Sequence, residues 1–201
     1  TSVRRYSEAM ADFVPYILVG GLILLLGMKY LFPWADPHQV AENPNLAAKA
    51  GYLNINFFVI RLVIFCGGWY FFKRLIVGNS IKQDQSGDQS LTHKNVSLSI
   101  GFILFFAISF SLFSVDILMS LLPTWYSTIF GIYCFSAMFQ ASLAFLALII
   151  IFMNRSGFVK GYVTVEHQHD VVKFLKGFTV FCAYIAVSHF MLIWYANIPE
   201  E

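Results

Sequence analysis

Long runs of apolar residues alternate with short polar segments along the whole chain. Five runs reach the roughly 20 residues that a helix needs to cross about 30 Å of hydrocarbon at about 1.5 Å per residue. Within each run the apolar residues are continuous rather than alternating, which favours helices over the strands of a membrane barrel. The pattern therefore predicts an all-α membrane protein with about five transmembrane helices in a helical bundle. The predicted spans are Phe13–Phe32, Tyr52–Phe72, Val96–Leu122, Tyr126–Met153 and Phe174–Tyr195.

Polar residues and helix breakers separate the predicted spans. Several prolines interrupt the chain after the first span, and Pro123 with Thr124 predicts a tight turn between the third and the fourth. Lys82–Asn95 and Asn154–Lys173 are predicted to be polar loops after the second and fourth spans. None of these connections is large enough to hold a hydrophobic core of its own, so residues 1–201 are predicted to form a single transmembrane domain.

Lysine and arginine are distributed unequally between the two sides that this topology defines. The N-terminal side and the loops after the second and fourth spans hold most of them, whereas the opposite side holds Lys49, with Lys29 near the edge of the first span. Because cytoplasmic segments of membrane proteins carry an excess of positive charge, the N-terminus is predicted to be cytoplasmic. The residues on the positive side are Arg4, Arg5, Lys73, Arg74, Lys82, Lys94, Arg155, Lys160 and Lys173.

The composition agrees with a membrane location. Only 12% of the residues are charged, against about 25% in a typical soluble domain. The formal net charge of +2 is too small to favour a nucleic-acid partner. The three cysteines lie singly inside apolar runs, and the motif His167-x-His169-Asp170 has no further ligand nearby to complete a zinc site. No metal site is therefore predicted.

Three ionisable residues stand out well inside the predicted spans, where a charge is costly and needs a reason. Asp116 and His189 each lie six residues before the outer end of their span, roughly 9 Å below the interface. Two such groups at one level are candidates for proton transfer or for a shared ligand, and the alternative is that each is a packing group satisfied within the bundle. Arg61, near the middle of the second span, is predicted to pair with Asp116, the only acid inside a span. That pair is either functional or purely structural.

Other residues give weaker indications. The aromatic residues at the outer ends of the spans are typical of an interfacial belt, and Trp125 and Tyr126 are alternatively candidate contacts for a quinone ring. Ser109, Asp116 and Ser120 are spaced to share one helix face, either to order water for proton transfer or to pack closely. The aromatic set is Trp34, Trp125, Tyr126, Trp194 and Tyr195. The glycines predicted to make close helix contacts are Gly20, Gly21, Gly27, Gly67 and Gly68.

Two segments resemble a known family. Phe113–Tyr133, FSVDILMSLLPTWYSTIFGIY, is similar to the acid-bearing helix, turn and following helix of the NrfD-like polytopic subunits. His169-Asp170, followed by Phe174–Glu201 with the ending LIWYANIPEE, resembles the ActF-type NrfD-like subunit of alternative complex III, the bacterial quinol:electron acceptor oxidoreductase. The likeness covers residues 95–201, and the first half matches in helix pattern only. Family members usually read His-Asp-Leu-Gly-Lys before the fifth helix, where this chain reads HDVVK, and often carry Gln where this chain has His189.

The resemblance implies an N-terminal part of a larger fold of about ten helices, with a native gene that continues past Glu201. Asp116 matches the family motif and carries over best. The implied function is a subunit without redox centres of its own, which contributes to the quinol site, to proton conduction, or to both. The implied partners are a second NrfD-like subunit and an iron–sulfur subunit, with haem c and iron–sulfur clusters held in partners. The implied location is the bacterial inner membrane.

Two other functions are compatible with the residues. A buried acid and arginine also occur as gating groups in ion or solute transporters. A purely structural membrane anchor would need the same apolar spans and no chemistry. Absorbance from haem and iron–sulfur centres in the purified complex distinguishes the respiratory function from both.

Overall fold

The computed structural model describes residues 2–122, 125–157 and 163–197. These residues form helices joined by short connections, and five of the helical segments are long and apolar enough to cross a membrane. The predicted all-α, multi-pass membrane protein is therefore confirmed. The helices are α1 Ser2–Met10, α2 Val14–Leu26, α3 Met28–Leu31, α4 Pro37–Glu42, α5 Pro44–Lys49, α6 Ile55–Ser86, α7 Ser90–Ile117, α8 Phe130–Arg155 and α9 Val165–Ala196.

Several helices extend beyond the predicted spans. The predicted polar loop Lys82–Asn95 is wrong, because α6 continues through Ser86 and α7 begins at Ser90. Gly87, with a left-handed φ of 66°, ends α6 in a conformation that glycine adopts without strain. Likewise, α9 begins nine residues before the predicted Phe174. Hydropathy marks the part of a helix that lies in hydrocarbon, whereas backbone hydrogen bonds continue into polar residues at either end.

Two other predicted boundaries also change. The first span is not one helix over Phe13–Phe32, because α2 ends at Leu26 and a separate turn of helix follows Gly27. The fourth helix begins at Phe130 rather than at Tyr126. The predicted Pro123–Thr124 turn, Lys160 and the last four residues of the chain lie outside the described residues.

The chain divides into two compact units, residues 1–12 with 128–201, and residues 13–127. The first unit contains α1, α8 and α9, and its core includes Leu146, Ala147 and Ile150 of α8. The rings of Phe139 of α8 and Phe178 of α9 pack in a tilted arrangement, with their centroids 4.4 Å apart. Each unit has its own buried core, and the single domain over residues 1–201 stays a prediction.

The second unit is organised around the antiparallel pair α6 and α7. Its core combines aliphatic and aromatic side chains of α6, including Phe58, Phe65 and Trp69, with phenylalanines of α7. Trp34 is also buried here, 5.1 Å from the ring of Phe32 and 5.3 Å from that of Phe58. Its assignment to an interfacial belt is therefore wrong, because the chain after α3 folds back and carries this ring into the core.

The helix surfaces carry many exposed apolar side chains. On α7, Ile103, Leu104 and Ile108 are 64%, 66% and 67% exposed. Soluble monomers rarely leave such continuous apolar surface in water. In a bilayer the same surface faces lipid chains, which identifies the bilayer as a partner of this fold.

Close packing of α6 on α7 depends on one of two adjacent glycines. A Cβ atom at Gly68 would lie 2.3 Å from the Phe105 ring, whereas one at Gly67 would meet no described atom within 4 Å. A Cβ atom at Gly21 would lie 3.4 Å from Leu62, an ordinary van der Waals distance. The predicted close contact is thus confirmed at Gly68, and among the described residues it is wrong at Gly67 and Gly20.

This difference gives a paired prediction. Gly68→Ala should lower the free energy of unfolding by about 1–3 kcal/mol, because the Phe105 ring must move from a packed interface. Gly67→Ala should be neutral or slightly stabilising, since alanine is the better helix former. Thermal unfolding of both variants in detergent measures the difference, and equal melting temperatures would contradict the packing of α6 against α7.

Candidate functional site

Polar side chains connect α6 to α7 at three levels along the pair. Near one end, Asn79 Nδ2 donates to Asn95 Oδ1 at 3.0 Å. In the middle, Trp69 Nε1 donates to Ser109 Oγ at 2.9 Å. At the other end Arg61 of α6 meets Asp116 of α7. Because buried polar groups are costly unless they are paired, these contacts fix the register of the two helices.

The predicted pairing of Arg61 with Asp116 is confirmed. Arg61 Nε donates to Oδ2 at 2.7 Å and Nη2 donates to Oδ1 at 3.0 Å, which is the bidentate arrangement of a guanidinium on a carboxylate. Both side chains are buried, 6% and 3% exposed. Arg61 lies in the second turn of α6, which begins at Ile55, and Asp116 lies in the last turn of α7, which ends at Ile117. The pair therefore lies near the end of α6 and the end of α7. The depth of Arg61 near the middle of the second span stays a prediction.

Two aromatic residues enclose the Arg61 guanidinium. Its carbon lies 3.9 Å from the ring centroid of Tyr52 and 4.4 Å from that of Phe57, both within the range of cation–π attraction. Nη1 also donates to the Tyr52 carbonyl at 3.2 Å. Asp116 and the two rings therefore hold Arg61 in place.

Tyr52 lies three residues before the spanning helix α6. Its partial burial and the neighbouring Asp116 carboxylate raise the pKa of the hydroxyl to about 12. The hydroxyl consequently keeps its proton at physiological pH. Sequence reasoning missed both enclosing residues. The signal for Phe57 was its position four residues before Arg61 on the same helix face, whereas Tyr52 lies outside the helix and no periodicity marks it.

The predicted serine stripe lies on the buried face of α7. Ser109, Asp116 and Ser120 are all buried, as their spacing predicts. The Ser109 hydroxyl accepts from Trp69, and the Ser120 hydroxyl donates to the Asp116 carbonyl at 2.5 Å. These hydroxyls thus have protein partners, which favours packing over an ordered water chain for this stripe.

A cavity of about 390 Å³ lies beside the ion pair in the second unit. This volume falls within the range typical of small-molecule sites. Trp125 and Tyr126, the candidate quinone contacts, line it together with Tyr52, whose ring lies against Arg61, and Ser120, whose hydroxyl donates to the Asp116 carbonyl. The complete lining is Ala48, Lys49, Tyr52, Leu53, Val115, Met119, Ser120, Leu122, Trp125 and Tyr126.

His189 lies on α9, in the other compact unit, with a partly buried side chain. Its role beside Asp116 stays a prediction. The four remaining candidates, Arg61, Asp116, Trp125 and Tyr126, all lie in the unit of residues 13–127.

The histidine motif before the fifth span has a structural role. Thr164 and His167 form a capping box at the start of α9, with the Thr164 backbone N–H donating to His167 Nδ1 at 3.2 Å. Asp170 lies 3.7 Å from Lys173 on the same helix. Among the described residues no group of three His, Cys, Asp or Glu side chains is placed to hold a metal ion.

The fold and site define a class, a multi-pass helical membrane protein with a buried ion pair beside an aromatic cavity. No protein-family model matches the chain, and no curated protein matches it either. The assignment to the NrfD-like subunits consequently rests on the two resembling segments.

Proposed function

We propose that this chain is an integral membrane subunit of a respiratory quinol-oxidising complex of the alternative complex III type, in the bacterial inner membrane. The observation that supports the proposal most is the cavity, in which the aromatic residues Trp125 and Tyr126 adjoin Tyr52 and Ser120, two residues in contact with the buried Arg61–Asp116 pair. A quinol head group is a flat ring with polar oxygens, and it needs apolar walls with a few polar contacts.

The location of the cavity agrees with a lipid-soluble substrate. It lies at the ends of α6 and α7, next to apolar helix surface that faces lipid. A quinol that diffuses in the bilayer thus reaches the ring site without crossing water. Electrons from the bound ring pass to haem c or iron–sulfur centres, which this proposal assigns to partner subunits.

The ion pair has two roles in the proposed site. The bidentate contact fixes the end of α6 to the end of α7, which keeps the cavity wall in place. Tyr52 lines the cavity and lies with its ring against Arg61, so it separates the ion pair from the proposed ring site. Asp116, paired with Arg61 beside this cavity, is the candidate group for proton conduction.

Purification of the native complex through this chain tests the proposal. We expect haem c absorbance, an iron–sulfur signal by electron paramagnetic resonance, and quinol oxidation with an added electron acceptor. A colourless protein that mediates ion or solute flux in proteoliposomes would instead establish a transporter, for which the buried pair would be a gating element.

The proposed orientation follows from the positive residues at the ends of the spans. In a background without native cysteines, a cysteine at Gln85, exposed near the end of α6, should be protected from an impermeant thiol reagent in intact cells. A cysteine at Glu42, exposed on α4, should be labelled. A permeant reagent should label both and serves as the control. The reverse pattern would place the N-terminus outside.

A further inference from the structure

A second cavity, of about 500 Å³, lies between α6 and α7 at the end of the pair away from Asp116. Asn79 lines it and donates to Asn95 Oδ1 at 3.0 Å, and Asn95 Nδ2 donates to the Ile76 carbonyl at 3.1 Å. These contacts hold the two helices together beside the cavity. The lining combines polar side chains with two leucines, and its members are Leu75, Asn79, His93, Lys94, Ser97 and Leu98.

The polar part of this lining suits an anion. The Lys94 ammonium has three N–H donors and a neutral His93 ring has one. Among the described residues neither side chain forms a hydrogen bond or an ion pair. Asp88, whose charge acts on Lys94, accepts instead from the Ser90 backbone N–H and hydroxyl at 2.8 and 2.6 Å. The Ser97 hydroxyl donates to its own helix, so Lys94 and His93 are the groups that can donate to a bound anion.

The surrounding chain adds to the positive charge. Residues 73–94 include four lysines and arginines against two aspartates. Basic pockets between membrane helices on the cytoplasmic side are typical sites for the headgroups of anionic lipids, and a Lys or Arg near such a membrane surface is attracted to it. The predicted cytoplasmic location of this end therefore agrees with an anionic headgroup as the ligand.

Exposed apolar side chains lead from the cavity along both helices. On α7, Leu104 follows Ser97 by seven residues and Ile108 follows Lys94 by fourteen, spacings that keep each pair near one helix face. Leu104 and Ile108 are both exposed, as is Phe71, one turn before the first lining residue of α6. At about 1.5 Å per residue, Ile108 lies about 21 Å from Lys94, and half of a hydrocarbon core is about 15 Å. This surface is therefore long enough for one acyl chain.

We infer that this cavity binds the phosphate of an anionic phospholipid, with Lys94 and His93 as the donors and the acyl chain along the exposed surface of α6 and α7. A soluble phosphate would use the same donors and none of the apolar surface, which is why the structure favours the lipid. No residue lines both this cavity and the one beside the ion pair. The lipid site is thus independent of the proposed quinol function.

Photolabelling of the purified native complex in phosphatidylcholine vesicles tests the site. The vesicles contain a trace of photoactivatable phosphatidylglycerol or of phosphatidylcholine with the same diazirine-bearing acyl chain. Mass spectrometry measures the label on residues 97–108, relative to the label on the exposed apolar surface of α9, which does not line the cavity. We expect the phosphatidylglycerol probe to give a ratio about fivefold higher, the effect of one lysine on an anionic lipid.

Two matched variants assign the preference to the cavity. Lys94→Gln should bring the two probes within about twofold of each other. Lys82→Gln removes the same charge from an exposed residue of α6 outside the lining, and it should keep the wild-type preference. Ser97→Trp, which fills the cavity, should also remove the preference, and it provides the test if the Lys94 variant fails to assemble.

Three results would overturn the inference. Equal labelling by both probes in the wild-type complex would mean that the cavity does not recognise the anionic headgroup. An equal loss in the Lys94 and Lys82 variants would assign the preference to surface charge in general. Excess inorganic phosphate should leave the label unchanged when compared with chloride at equal ionic strength, which keeps screening constant. Displacement of the probe by phosphate would assign the cavity to a soluble ligand.

Discussion

Replacement of Asp116 by asparagine should destabilise the second unit by about 3–5 kcal/mol, because it leaves the buried Arg61 guanidinium without its anion. Asparagine keeps the size of the side chain and an acceptor oxygen, but not the charge. The expected result is a much lower level of assembled complex in membranes and a lower melting temperature in detergent. Immunoblots after native electrophoresis and thermal unfolding measure the two effects.

The chain offers a matched control on an exposed ion pair. Asp170 lies 3.7 Å from Lys173 on α9, with side chains 71% and 63% exposed. Asp170→Asn should cost about 1 kcal/mol or less, as is usual for ion pairs in contact with solvent. If the two variants had the same stability, the burial of the Arg61–Asp116 pair would have no energetic consequence.

A double substitution separates structure from chemistry at the same site. Arg61→Met with Asp116→Leu removes both charges, and replacing a buried pair by apolar residues is often neutral or stabilising. We expect the double variant to recover most of the assembly that Asp116→Asn loses. Recovery of turnover as well would limit the pair to packing, whereas assembled but slow complex would support a role of Asp116 in proton conduction.

Ala48→Trp should lower the rate of quinol oxidation about tenfold or more, with little change in the stability of the complex. Ala48 is exposed on α5 and lines the cavity, so the larger side chain occupies space that the ring needs. Each tenfold loss of affinity corresponds to about 1.4 kcal/mol of binding free energy. A side chain that excludes the ring from the cavity therefore accounts for an effect of this size. Steady-state turnover of the purified complex with a soluble quinol measures it.

Ala47→Trp is the matched control for this change. Ala47 is the preceding residue of α5, is also exposed, and does not line the cavity. Turnover should stay within about twofold of the wild type, because substitutions of exposed residues outside a buried contact or a binding site usually have small effects. An equal loss in both variants would mean that α5 itself, rather than the cavity, tolerates no large side chain.

Much of the fold follows directly from the sequence, because hydrocarbon imposes a minimum length on each apolar run. The number of spans was predicted in this way. The helix ends were not, since polar residues such as those after Phe72 stay helical wherever their backbone bonds are satisfied. The Arg61–Asp116 pair was also predictable, because an isolated charge at membrane depth needs a partner and Asp116 was the only acid available.

The surroundings of the pair could not be predicted in the same way. Tyr52 lies before α6, where no helical spacing relates it to Arg61. Trp34 has the position of an interfacial residue in sequence, yet the return of the chain after α3 buries it against Phe32 and Phe58. Such contacts depend on how irregular segments pack, and hydropathy carries no information on that.

Photolabelling with an azidoquinone in native membranes tests the central proposal, that a quinol ring binds beside the Arg61–Asp116 pair. Mass spectrometry of the labelled subunits locates the site. We predict a label on peptides that contain Tyr52, Trp125 or Tyr126, with displacement by excess quinol and loss in the Ala48→Trp complex. A label confined to other subunits at saturating azidoquinone, with this chain unmodified, would contradict the proposal.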